Sequence, residues 1–226
     1  MREIVIDTET TGLNFRSGDR IIEIGCVELI NHVSTSNTLQ FYCKTDKEIS
    51  ESAKKISGIS NEFLKDKKTF EENHQDLLSF IKNDVLIIHN SDFDMGFLNN
   101  ELSIIGKPPL KNKVIDTVSL ARQVLNTRIA NLDYLCRRFN IDLSERKLHG
   151  ALLDSRLLAE VYLELRGGKQ FSMNLAKNNQ EINKTNNNKT NNQKNITKFT
   201  PLKEDVELHR KMVNEIKQPV WKKYNY

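Results

Sequence analysis

Cysteine, tryptophan and proline are scarce in this 226-residue chain, which has three Cys, one Trp and four Pro. Cys26, Cys43 and Cys136 are odd in number and far apart, with no Cys-x-x-Cys pair. That excludes a disulfide framework and a paired-thiolate zinc or dithiol site, and leaves three reduced, buried small hydrophobes. No run approaches roughly 18 consecutive apolar residues, so no membrane-spanning helix is expected. The opening Met1-Arg2-Glu3-Ile4-Val5-Ile6-Asp7 lacks the long apolar stretch of a signal peptide, and a soluble, cytoplasmic chain is the expectation. Apolar residues are also few, at 38% with a mean hydropathy of −0.55. One segment must therefore be too polar to join a core.

That segment is residues 177–198, KNNQEINKTNNNKTNNQKNITK, which is Asn and Lys with almost no apolar side chains. Nothing in it offsets an ordering cost of roughly 1–2 kcal/mol per residue, so residues 169–199 are expected to form a flexible linker. The charge splits at the same place. Residues 1–168 carry 22 Lys+Arg against 25 Asp+Glu, a net of −3, while residues 169–226 carry 12 against 5, a net of +7. The pI near 8.8 therefore reports the tail and says little about the domain before it. Beyond the linker, Thr200-Pro201 offers an N-cap and a first-turn proline. Leu202, Val206, His209, Val213 and Ile216 then recur at helical spacing, followed by Pro219-Val220-Trp221. A short amphipathic helix with no core of its own, at residues 200–226, reads as an anchor for a partner.

Within residues 1–168, apolar runs predict strands at Glu3–Ile6, Ile21–Ile30, Thr38–Cys43, Val85–Ile88 and Lys113–Asp116. Helical patterns fall at Thr69–Lys82 and Phe93–Ile105, and three more follow the last strand, ending in Leu152–Leu165. Strands in hairpin order, then alternating with helices, predict an α/β fold with a mixed sheet flanked by helices.

Three clusters carry chemistry. Asp7 closes the first predicted strand and Glu9 lies two residues on, so an extended path points both carboxylates to one side. Unit charges 4 Å apart repel by roughly 4 kcal/mol at an effective dielectric of 20, which calls for a cation between them; a solvated acidic strand end is the plain alternative. His89-Asn90-Ser91-Asp92-Phe93-Asp94 puts acids where a strand gives way to a helix, the usual ligand end of an open α/β sheet. Asp92 reads as the N-cap there, which leaves Asp94 for a site, while His89 reads as structural. In Leu148-His149-Gly150-Ala151-Leu152-Leu153-Asp154, His149 and Asp154 would lie about 140° apart on one helix, so His149 is assigned to the approach loop. Asp154 sits in an apolar helical pattern, where burial is costly unless it is paired or coordinates a metal. Four carboxylates and one movable histidine suit Mg²⁺ or Mn²⁺ and two-metal phosphodiester hydrolysis, with His149 as general base.

The order Asp-x-Glu, Asn-x-x-Phe-Asp, and His followed five residues later by Asp resembles the DEDDh 3′→5′ exonuclease superfamily, which has a ribonuclease H-like fold. The stretches Ile4 to Asn14 (IVIDTETTGLN), Ile21 to Gly25, Ile87 to Asn90 and Leu148 to Tyr162 resemble its proofreading branch, the epsilon subunits of bacterial DNA polymerase III. The resemblance implies Asp7, Glu9 and Asp154 as direct metal ligands, Asp94 as a ligand partly through water, and His149 as the base. It also implies that Asp7, Glu9 and Asp154 meet the DNA 3′ end. The C-terminal segment would bind the polymerase III alpha subunit, and a theta subunit binds the exonuclease domain in some bacteria. Near the 3′ nucleotide the family often carries a Glu and a His where this chain has Ser52 and Ser57. A free-standing exoribonuclease and a silent scaffold are the competing functions; the scaffold predicts loss of a site residue, and all five are present.

Overall fold

The computed structural model describes residues 1–146, 148–168 and 203–215. The chain divides into two units, residues 1–175 and 176–226. The first is built on strands β1 (Arg2–Thr10), β2 (Ile21–Ile30), β3 (Val33–Tyr42), β4 (Val85–Ile88) and β5 (Val114–Asp116). They form one sheet in the order β3-β2-β1-β4-β5. β2 pairs antiparallel with both β1 and β3, whereas β4 pairs parallel with β1 on one side and with β5 on the other. Asn31 and His32, both at positive φ (53° and 69°), make the two-residue turn between β2 and β3, a turn whose twist matches that of the strands.

Alternation along β1 decides which helices it meets. Ile4 and Ile6 join a core with β2, β4, α3 (Phe70–Ile81) and α4 (Ser91–Ile104). Val5 joins the opposite core with α5 (Thr117–Leu125), α6 (Leu132–Arg138) and α7 (Ala151–Leu165). Two short helices, α1 (Glu51–Ser57) and α2 (Asn61–Leu64), cover a third, smaller cluster around Ile22, Ile49, Ile59 and Leu64. The three cysteines are free and buried, and burial pushes the Cys43 thiol up to about 12 and that of Cys136 to about 11.

Three differences from expectation have physical causes. β1 does not close at Asp7 but runs to Thr10, because β2 pairs with it along that whole length. β3 begins at Val33 rather than Thr38, since an edge strand faces solvent and carries no apolar signal there. α4 begins at Ser91, with Asn90 as its N-cap in the left-handed conformation (φ 64°), and Asp92 is inside the first turn. Asn90 tolerates that backbone, and its N–H donates to Asp116 at 3.1 Å.

In the second unit, α8 (Lys203–Glu215) falls within the predicted C-terminal helix. Among its residues whose burial is described, Val206, His209 and Val213 are the least exposed, on the predicted apolar face. The Asn/Lys-rich segment, the Thr200-Pro201 cap and the Pro219-Val220-Trp221 motif lie outside the described residues. No helix among the described residues is long and apolar enough to cross a membrane.

Candidate active site

The site exists because β1 outruns β4. Pairing with β4 covers only Glu3 to Val5, whereas pairing with β2 continues to Thr10. Past Ile6 one edge of β1 is open, and Asp7 and Glu9, in phase with Val5, face the side covered by α7. Gly25 of β2, opposite Asp7, lets α7 come close: a Cβ there would stand 2.2 Å from the Ala151 carbonyl carbon and the Leu152 nitrogen. Ser155 donates to the Gly25 carbonyl at 2.9 Å, and the Ala151 N–H to Glu23 Oε2 at 3.2 Å. The first turn of α7 is thereby fixed and carries buried Asp154 to the carboxylates of β1. His149 precedes the helix on the approach loop, as expected, with its N–H donating to the Ile56 carbonyl at 3.0 Å.

One ligand atom each from Glu9, His149 and Asp154 lies within 4.8 Å of the others. Asp7, His89, Asp133, Arg146, His149 and Asp154 line a cleft of about 370 Å³. A cleft of about 450 Å³ around Arg20, Lys44 and Lys67 contains none of the five predicted site residues. Asp94 is buried on α4, and Thr8, whose side chain alternates with Asp7 and Glu9, donates to it at 2.7 Å.

The electrostatics are those of an anion cluster short of positive charge. Burial, reinforced by Asp94, Asp154 and Glu9, raises Asp7 well above the carboxylate range. Glu9 is pushed up to about 7 by burial; His149 opposes this, while Asp154, Glu23 and Asp94 add to it. Burial raises Asp94 to about 7 against the opposing hydrogen bond of Thr8. Asp154 differs: burial would raise it, but hydrogen bonds from Arg146 and His149 outweigh that and hold it low. His149, half exposed, is raised mainly by its hydrogen bond to Asp154. Hard carboxylate oxygens crowded against their own repulsion fit a divalent cation.

Asp7, Glu9, His149 and Asp154 thus converge, with Asp94 reaching the cluster from the α4 side. Ser52 and Ser57 do not join it in the same way. Ser57 is buried, donating to the Ala53 carbonyl at 3.0 Å and accepting from the Ile59 N–H at 3.3 Å. Ser52 is exposed on α1 with its hydroxyl 3.1 Å from that of Ser50. His89 is half-buried beside Thr117, 2.9 Å away, and burial lowers its pKa. Sequence reasoning missed Arg146 and Asp133, which complete the cleft. Arg146 is three residues before His149 in a charged loop and Asp133 is an acid in the first turn of α6, and each looks in sequence like a solvated surface charge.

Sequence and structure comparisons define the class. The exonuclease family profile matches residues 4–162. The fold is that of the nuclease domain of 3′hExo, a DEDDh family member bound to rAMP, with a TM-score of 0.65 at 20% identity over 73% of this chain and 91% of that one. Exonuclease X in complex with 5′-overhanging duplex DNA aligns with a TM-score of 0.57 at 24% identity over 72% and 90%. A DNA polymerase III subunit epsilon of Rickettsia felis is 43% identical over 96% of this chain and 97% of its own length. Its Escherichia coli counterpart is 44% identical over 74% and 72%. The chain belongs to the exonuclease family and, within it, to the DNA polymerase III epsilon subunits.

Proposed function

We propose that this protein is the proofreading 3′→5′ exodeoxyribonuclease of a bacterial DNA polymerase III, removing misincorporated 3′-terminal nucleotides in the cytoplasm. The observation that carries the reading is the convergence of Asp7, Glu9, His149 and Asp154 at the open edge of β1. Near-full-length similarity to epsilon subunits favours DNA over the free-standing exoribonuclease.

Asp7, Glu9 and Asp154, with Asp94 partly through water, would hold two divalent cations, Mg²⁺ or Mn²⁺. Bound there, such cations acidify a water and stabilise a leaving 3′ oxygen. The residues supply the rest. Asp7, Glu9 and Asp154 fix the position of the 3′-terminal phosphodiester, and Thr8 fixes Asp94. His149, on a loop loosened by Gly150, takes the proton of the attacking water. When Nδ1–H turns to Asp154 Oδ2, which lies 3.1 Å away, Nε2 becomes the basic atom. Ser52 and Ser57 are proposed as the nucleotide-side positions, Ser52 with the exposed hydroxyl. Residues 1–168 form the exonuclease domain, 169–199 serve by composition as a tether, and 200–226 bind the alpha subunit; a theta subunit would bind the exonuclease domain.

The test is one incubation of the full chain with labelled single-stranded DNA, matched and mismatched duplex ends, and RNA, with and without Mg²⁺. Metal-dependent release of 5′-mononucleotides from DNA, fastest at mismatches and lost in D7A/E9A, is expected; preference for RNA overturns the reading. Deleting residues 201–226 should leave this activity and abolish capture of the alpha subunit.

A further inference from the structure

Arg146 brings a permanent positive charge into the cleft from the loop that joins α6 to α7. Its side chain is only 7% exposed. Nε and Nη2 donate to the two oxygens of Asp154 at 2.6 and 2.7 Å, Nη1 donates to Asp133, and Nη2 also lies 2.9 Å from His149 Nδ1. A planar guanidinium makes its strongest pairing with a carboxylate in this two-bond form. The bonded carboxylate is one of the proposed metal ligands. A divalent cation and a two-bond guanidinium compete for the same lone pairs and repel each other at this range.

We propose that Arg146 is a placeholder cation: in the metal-free protein it occupies Asp154, and it gives up part of that pairing when Asp154 takes a divalent ion, keeping Asp133 as its anchor. The inference rests on reading Asp154 as a metal ligand. It extends to His149. Nδ1 of His149 faces both Arg146 Nη2 at 2.9 Å and Asp154 Oδ2 at 3.1 Å, and a neutral imidazole can accept from the first or donate to the second but not both; while Arg146 donates to Nδ1, the ring hydrogen sits on Nε2 and the lone pair is occupied. Withdrawal of Arg146 lets Nδ1–H turn to Asp154 Oδ2 and bares the Nε2 lone pair. Arg146 is thus a positioning residue that couples metal loading to readiness of the base.

The test is Mn²⁺ titration of the metal-free full-length protein, followed by electron paramagnetic resonance of the free ion. R146Q should bind Mn²⁺ at least tenfold more tightly than the unaltered chain. R146K, which keeps the charge but not the fork, should bind severalfold more tightly. D133N, which leaves the guanidinium only Asp154, should bind severalfold more weakly. A residue that merely props Asp154 in place would weaken binding in R146Q, and a simple charge effect would leave R146K unchanged; either result overturns the proposal. If R146Q does not fold, the ¹⁵Nε–¹H resonance of Arg146 in the unaltered protein decides: it should move on Mg²⁺ saturation, and a fixed signal overturns the proposal. Absence of Mn²⁺ binding by the folded, unaltered protein overturns the metal reading itself, a different result from equal binding by all variants.

Discussion

Replacing Gly25 by Ala tests the link between packing and site most directly. The added methyl would stand 2.2 Å from the Ala151 carbonyl carbon and the Leu152 nitrogen and 2.4 Å from the Ala151 oxygen, all backbone atoms at the start of α7. Ordinary contact begins at 3.4 Å, so the first turn of α7 must withdraw by about 1.2 Å or β2 must deform. Overpacking of this kind costs about 1–3 kcal/mol. The displaced turn carries Asp154, and a misplacement of about 1 Å at a reacting centre can reduce turnover about 100-fold. G25A should therefore lower the urea midpoint modestly and single-stranded DNA turnover by about 100-fold at saturating Mg²⁺. Gly150→Ala is the control for the urea midpoint, because a Cβ there meets nothing within 4 Å. G25A with turnover within threefold of the unaltered enzyme would refute the argument that Gly25 sets the approach of α7.

Three further outcomes are expected. Because Glu9 is raised from 4.5 to about 7 and Asp94 from 3.8 to about 7, the folded metal-free protein holds protons that the unfolded chain has released between about pH 4 and 7. Stability must fall as pH rises through that window, by about 3 kcal/mol for Glu9 at 1.36 kcal/mol per pH unit. The melting temperature in EDTA should be lower at pH 8 than at pH 5, with a shallower fall in E9Q and recovery at pH 8 on adding Mg²⁺; an E9Q profile parallel to that of the unaltered chain contradicts this. At the far end of β1, fully buried Glu3 accepts from Tyr162 at 2.8 Å and pairs with His32 at 2.6 Å. H32A should cost about 1–3 kcal/mol in urea unfolding, the cost of leaving a buried acceptor short of a partner, and E3Q/H32A less; equal losses would show that the pairing does not matter. Thr8→Val keeps the side-chain shape but removes the hydrogen bond to Asp94, and turnover at pH 7 should drop about tenfold, as suits a bond to a carboxylate. Unchanged turnover would remove Thr8 from the site.

Legibility followed burial. β2 and β4 are nearly continuous apolar runs, and their predicted bounds agree with the structure. The edge strand β3 half escaped notice because Val33 to Asn37 face solvent, where no apolar pattern is required. Asp7 looked like a strand end because acids break an apolar run, yet pairing with β2 is indifferent to side-chain charge. Asp7, Glu9, Asp94, His149 and Asp154 were legible because each departs from its local pattern: a carboxylate in a strand, an acid inside an apolar helix, a histidine beside Gly150. Arg146 departs from nothing. It sits between Glu145 and Lys147 in a loop, and only the fold reveals that its side chain turns inward.

The parity of β1 ties core and site together. Ile4, Ile6 and Thr8 point toward the α4 side, where Thr8 holds Asp94; Val5, Asp7 and Glu9 point toward α7, where Asp154 waits. A slip of one residue against β2 would turn Ile4 and Ile6 toward α7 and both carboxylates away from Asp154. The two-residue turn at Asn31 and His32 fixes β2 against β3, and the buried alternation of Ile4, Val5 and Ile6 fixes β1 against both helical layers. The register that buries the apolar residues is therefore the register that gathers the carboxylates. Selection for a packed core preserves the proposed metal site, and β4 can stop short of Asp7 because β2 alone holds the end of β1 in line.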